Sequence, residues 1–134
     1  MNILLIRLSS MGDVILVSPL LTYLREHIPH AKLCLLTSRY YRGLYEEDER
    51  LDRLRTAERW ELNEVCERLA GEKWDLVVDL QNSRRSRRLI RSHFSQCPVR
   101  SFQKLHLQRY LLLLFRIDLY RGDSPVVRPG RDLS

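Results

Sequence analysis

One carboxylate, Asp13, closes the run Ser9-Ser10-Met11-Gly12-Asp13, directly after the aliphatic stretch Asn2–Leu8. That stretch has the nearly continuous apolar pattern of a central strand buried on both faces, as in a parallel sheet. Ser9, Ser10 and Gly12 let the backbone turn tightly, so Asp13 falls at the strand's C-terminal edge, near the first turn of the next helix. Ligands of open α/β sheets bind outside that edge, which makes Asp13 the first candidate for chemistry. The competing role is a helix cap, and on spacing alone the cap is the commoner one. The turn's N–H groups can cradle an anion. With one glycine and no following G-K-[ST], it is neither a G-x-G-x-x-G dinucleotide fingerprint nor a P-loop.

A second apolar run, Asp75–Leu80, leads into Gln81-Asn82-Ser83. If both strands belong to one parallel sheet, this turn lands on the same edge as Asp13. Gln81 and Asn82 carry donors and acceptors for a ligand, and Asn82 or Ser83 caps the following helix. That helix holds Arg84, Arg85, Arg87, Arg88 and Arg91. At about 100° per residue, Arg84, Arg87, Arg88 and Arg91 fall within one wedge. Arg84 and Arg85 stand closest to the ligand edge, where a planar guanidinium suits carboxylates or phosphates. Arg87, Arg88 and Arg91 read as a solvated face, with anionic lipid headgroups as the alternative partner.

The run Ile3–Val14, followed by Ser18-Pro19-Leu20-Leu21, resembles the opening signature of the lipopolysaccharide heptosyltransferases, the family 9 glycosyltransferases. Trp74–Ser83 is similar to that family's next characteristic strand and turn. The resemblance implies the N-terminal, acceptor-binding half of a two-domain GT-B enzyme that moves heptose from an ADP-sugar onto the lipopolysaccharide inner core. It makes Asp13 the catalytic base and puts Ser9, Ser10, Met11, Gly12, Gln81, Asn82, Arg84 and Arg85 around the acceptor. No cofactor or metal is implied. ADP-heptose would bind a second domain, so these residues alone should not turn over. The alternative is a non-catalytic remnant or binding module for anionic glycolipid.

Stepping outward along the chain, Val14, Val17, Leu21, Leu24 and Ile28 mark one helical face. Pro19 interrupts it, so Ser18-Pro19 either restarts the helix as N-cap and first residue or kinks it. Ala31–Thr37 reads as the second strand, Leu51–Arg55 as an edge strand, and Pro98–Phe102 as a last short strand. Ser38–Tyr45 forms a short helix whose Tyr40, Tyr41 and Tyr45 either line a sugar site or, as the commoner outcome, pack on the sheet. Helices are expected over Trp60–Leu69, ended by Gly71, and over His106–Leu119. The expected fold is therefore a Rossmann-like parallel sheet flanked by helices, spanning 1–121, with 122–134 a linker tail.

At 134 residues the chain is long enough for one proper core. Its net charge is +6, and only three of its 23 basic residues, Lys32, Lys73 and Lys104, are lysine. That arginine bias suits an acidic acceptor, and an arginine-rich codon usage explains it equally well. Charge alone suggests nucleic acid, but no binding motif supports it and the acidic residues are interspersed. Cys34, Cys66 and Cys97 are odd in number and far apart, which indicates neither a disulfide framework nor a zinc site. The opening apolar stretch lacks a basic leader and is interrupted by Arg7, so a cytoplasmic chain is expected, peripheral at the inner face of the inner membrane if the resemblance holds. Tyr110–Phe115, the longest later apolar run, is far short of a membrane span.

Overall fold

Ile3, Leu4, Leu5 and Ile6 are each at most 1% exposed, so β1 (Asn2–Ile6) is covered on both faces, as its unbroken apolar run requires. The structure is a computed structural model that describes residues 1–101. Around β1 it places β2 (Lys32–Ser38), β3 (Arg53–Ala57), β4 (Leu76–Asp79) and β5 (Val99–Ser101). All pair in parallel, in the order β3-β2-β1-β4-β5. The expected Rossmann-like α/β sheet is present. The helix expected over 106–119, the tail over 122–134 and the boundary at 121 lie outside the described residues, as does the end of the strand at Phe102.

Successive β1 residues point to opposite faces. Ile3 and Leu5 join Val14, Val17, Leu20 and Leu21 of α1 (Met11–Ile15) and α2 (Val17–His27), with Tyr45 of α3 (Arg42–Tyr45). Leu4 and Ile6 join Leu62, Cys66 and Leu69 of α4 (Leu62–Ala70) and Leu89 and Ile90 of α5 (Arg84–His93), together with Phe94. The helix expected from Trp60 starts as a 3-10 turn, Arg59–Glu61, before α4. Gly71 caps α4 in the right-handed region. β3 lies two residues beyond its expected start, because the turn through Leu51 first meets the sheet when the Asp52 N–H bonds the Leu33 carbonyl at 2.9 Å.

The proline break falls earlier than the Ser18-Pro19 restart expected from sequence. Helix α1 ends at Ile15, Leu16 intervenes, and Pro19 is the third residue of α2. Proline has no N–H for the Ile15 carbonyl and its ring crowds it, so the helix opens one turn upstream. The Tyr45 hydroxyl fills the gap, donating to the Val14 carbonyl at 2.6 Å and approaching that of Ile15 at 3.4 Å. Burial pushes this phenol up to about 12. Tyr45 thus packs, Tyr41 lies half-buried against the core, and only Tyr40 projects fully into solvent. Tyr45→Phe should cost about 1–3 kcal/mol in urea unfolding, because it strands a buried carbonyl. An unchanged midpoint would mean that water replaces the hydroxyl.

All three cysteines are free, with Cys34 and Cys66 buried. Burial pushes both of those thiols up to about 11. Alkylation of the native chain at pH 8 should therefore stop at the half-buried Cys97, since the thiolate is the reactive form. Mass spectrometry showing three modified sites without denaturant would contradict this burial.

Candidate functional site

The chain runs outward from β1 through β2 to β3, then crosses to β4 on the other side of β1. The order reverses between β1 and β4, and at such a switch point the two loops separate and leave a crevice outside the strand ends. The turns that leave there are Arg7–Ser10 and Leu80–Ser83, which carry the two chemical motifs of the sequence.

Asp13 is only 7% exposed. It is not the N-cap. Ser10 occupies that position with extended backbone, and Asp13 is the third residue of α1. The Ser10 hydroxyl donates to Asp13 Oδ2 at 3.0 Å. On the other side Arg7 Nη2 lies 2.6 Å from the same oxygen. Arg7 is itself 2% exposed, and burial lowers its pKa while Asp13 raises it. Gly12 lies inside α1, and a Cβ there would meet nothing within 4 Å. Its expected turning role is therefore not needed; the glycine keeps the space above the first turn of α1 open. Ser9, Ser10, Met11 and Gly12 are all exposed and form a rim beside the buried carboxylate.

Gln81 ties the two turns together. Its Oε1 accepts from the N–H groups of Leu8 and Ser9 at 3.0 and 3.1 Å, and its Nε2 donates to the Ser9 hydroxyl at 3.3 Å. The second turn is organised from below by Asp79, which is 1% exposed. Asp79 Oδ1 accepts from the N–H groups of Gln81 at 3.1 Å and Asn82 at 2.8 Å, while Oδ2 accepts from the Ser86 hydroxyl at 3.0 Å. These bonds hold Asn82 at a φ of 47°, a left-handed conformation that asparagine tolerates better than most residues. Ser83 is the cap of α5, in a reciprocal box with Ser86.

The arginines of α5 stand opposite its buried Ser86, Leu89 and Ile90, and all five are exposed. Among the described residues none of them makes an ion pair. Arg84 and Arg85 occupy the first turn, where the helix dipole disfavours cations, and like charges three and four residues apart repel. Helix α5 thus presents positive charge at the sheet's ligand edge without an ion pair among the described residues.

Arg85 reaches a pocket of about 120 Å³ lined by Leu8, Ser9, Ser38, Ala57, Leu62 and Arg59. The structure so brings Ser9 and Arg85 together, whereas Asp13, Gln81, Asn82 and Arg84 stand outside that pocket's lining. Arg59 was not singled out in the sequence. Its signal there is faint: an arginine two residues past the end of β3, at the edge where ligands bind. A larger cavity of about 240 Å³ lies at the opposite edge, where Arg53 pairs with Glu72 and stacks on Trp74. Among the described residues no group of three or more His, Cys, Asp or Glu side chains could hold a metal ion. No described helix is long and apolar enough to cross a membrane.

By sequence, no protein-family model matches the chain and no curated protein does. Solved structures do. A family 9 glycosyl transferase from Veillonella parvula superimposes with a TM-score of 0.68 at 22% identity, over 96% of this chain and 44% of that one. The fold is that of the family 9 glycosyltransferases. The E. coli ADP-heptose lipopolysaccharide heptosyltransferase II matches with a TM-score of 0.67 at 21% identity, over 100% of this chain and 44% of that one. The E. coli heptosyltransferase WaaC with ADP-2-deoxy-2-fluoro heptose matches with a TM-score of 0.66 at 18% identity, over 95% of this chain and 51% of that one. The chain therefore spans about half the length of the glycosyltransferases it resembles.

Proposed function

We propose that the chain is the acceptor-binding, N-terminal half of an inverting glycosyltransferase that moves heptose from an ADP-sugar to the lipopolysaccharide inner core. The observation that carries this reading is Asp13, a buried carboxylate at the switch point, held by Arg7 and Ser10 beside an exposed rim of small residues. In the reaction Asp13 takes the proton from the acceptor hydroxyl as that oxygen attacks the anomeric carbon and the nucleotide diphosphate departs. Ser9, Ser10, Met11 and Gly12 shape the approach, and Arg59, Arg84 and Arg85 meet acidic sugars and phosphates of the acceptor. Gln81 and Asn82 meet the acceptor from the second turn, although Gln81 spends its own polar atoms on joining the two turns. ADP-heptose binds a separate donor half. The protein works in the cytoplasm, with Arg87, Arg88 and Arg91 forming a solvated face of α5.

The neighbours support the kind of reaction, since one is an ADP-heptose lipopolysaccharide heptosyltransferase and another holds an ADP-heptose analogue. The test is sugar transfer from ADP-heptose to a heptose-less core acceptor. The 134 residues alone should bind the acceptor without turnover, and adding a donor half should start transfer. Acceptor binding with no transfer in the completed enzyme would favour the non-catalytic glycolipid-binding reading instead.

A further inference from the structure

Arg7 interrupts an otherwise aliphatic strand end, and a guanidinium in a dry interior is costly unless it is paired and hydrogen-bonded. Folding alone does not demand it there, because a well-packed apolar side chain often serves as well. Among the described residues its two terminal guanidinium nitrogens bond the two turns of the candidate site, while Nε has no described partner. Nη2 meets Asp13 Oδ2 at 2.6 Å, and Nη1 donates to the carbonyl of Leu80, the residue before Gln81. One planar group therefore spans from the Asp13 turn to the Gln81 turn, which a lysine ammonium on its flexible stem does not reproduce.

Among the described residues, the charged groups that face Arg7 are Asp13 from α1 and Asp79 from β4. The Asp79 carboxylate is engaged with the N–H groups of Gln81 and Asn82 and the Ser86 hydroxyl. Asp13 is the acid in direct contact with the guanidinium. Among the described residues, the Ser10 hydroxyl donates to the same Asp13 oxygen from the other side.

We infer that Arg7 is a positioning residue: it holds Asp13 in its ionised form and fixes it against the Gln81 turn. This rests on the reading of Asp13 as the proton acceptor. An arginine in contact with a carboxylate favours the charged form, and it does so strongly where water is excluded. Arg7 thereby keeps the base unprotonated before the acceptor arrives, while its second arm keeps the Gln81 turn at a constant distance.

The experiment follows Asp13 by carbon-13 carboxylate NMR in the whole 134-residue chain, with Asp13→Asn identifying its signal. In Arg7→Met, which keeps an unbranched apolar stem but removes the guanidinium, the pH at which Asp13 takes up its proton should rise by about 1–3 pH units. Arg7→Lys should reverse most of that rise, yet leave the Gln81 side-chain amide shifted because the link to Leu80 is lost. A second measurement needs no substitution at Arg7. In the unmutated chain its guanidinium N–H signals should be resolved and protected from exchange, unlike those of the exposed arginines of α5. An unmoved Asp13 titration in a folded Arg7→Met chain would overturn the inference, and so would freely rotating Arg7 N–H signals in the native chain. No readout requires sugar transfer. A completed enzyme that fails to transfer heptose while this coupling persists would reject the reaction and leave the role of Arg7 standing.

Discussion

If Asp13 is the proton acceptor proposed above, Asp13→Asn in a completed transferase is expected to lower kcat by about 10²- to 10⁴-fold, the usual contribution of a positioned general base. The donor half of the E. coli heptosyltransferase II is a suitable complement, because the present chain aligns with that protein over 100% of its own length. Asparagine keeps the shape and one oxygen for Ser10, but it cannot accept a proton at neutral pH. The substitution also leaves the buried Arg7 without its carboxylate, and breaking a buried pair costs about 3–5 kcal/mol. The two effects separate experimentally: stability appears as a lower Tm, while kcat is read well below that temperature. KM for the acceptor should change little, because Asp13 is 7% exposed and the proposed acceptor contacts lie with the exposed rim residues beside it. A folded Asp13→Asn enzyme with kcat within about threefold of the parent would leave Asp13 the purely structural role of anchoring α1.

Both ligand-edge turns were readable in the sequence because parallel strands buried on both faces leave long apolar runs, and the polar residues after them must sit at the strand ends. The face of α4 was equally readable: Leu62, Cys66 and Leu69 are buried and Val65 half-buried, as helical spacing demands. What escaped were residues whose meaning depends on partners far along the chain. Arg7 looked like a mere interruption until the fold brought Leu80 to it, across 73 positions. Asp79 looked like one more strand residue, yet the strand end places its carboxylate under the next turn. A local rule existed for each. A charge inside a doubly buried strand must find an opposite charge or several hydrogen bonds, and these two residues are the charges that break the two apolar runs. Pro19 marks a break in the helical pattern, and because it acts one turn upstream on the Ile15 carbonyl, the helix opens at Leu16 rather than restarting at Ser18-Pro19.

Asp79→Ala is expected to destabilise the chain by about 3 kcal/mol and to loosen the Gln81 turn. Three donors converge on this carboxylate, the N–H groups of Gln81 and Asn82 and the Ser86 hydroxyl, at 3.1, 2.8 and 3.0 Å. Hydrogen bonds to a charged group contribute about 1.5–3 kcal/mol each, and three on one group share rather than add their effects. Asn82 feels the loss most, since its φ of 47° is strained without its anchor. Asp79→Asn separates charge from geometry: its oxygen still accepts from the two N–H groups, its amide donates to the Ser86 oxygen, and the cost should fall to about 1 kcal/mol. The functional consequence runs through Gln81, whose side chain bridges to Leu8 and Ser9. When the second turn loosens, that bridge goes with it and the two turns no longer hold one position relative to each other. Urea unfolding gives the stability change, and amide hydrogen exchange at Gln81, Asn82 and Ser9 gives the local one. Equal destabilisation by alanine and asparagine would show that the charge itself, rather than the three-way bonding, holds the turn. Unchanged exchange in Asp79→Ala would show that the turn keeps its form without Asp79.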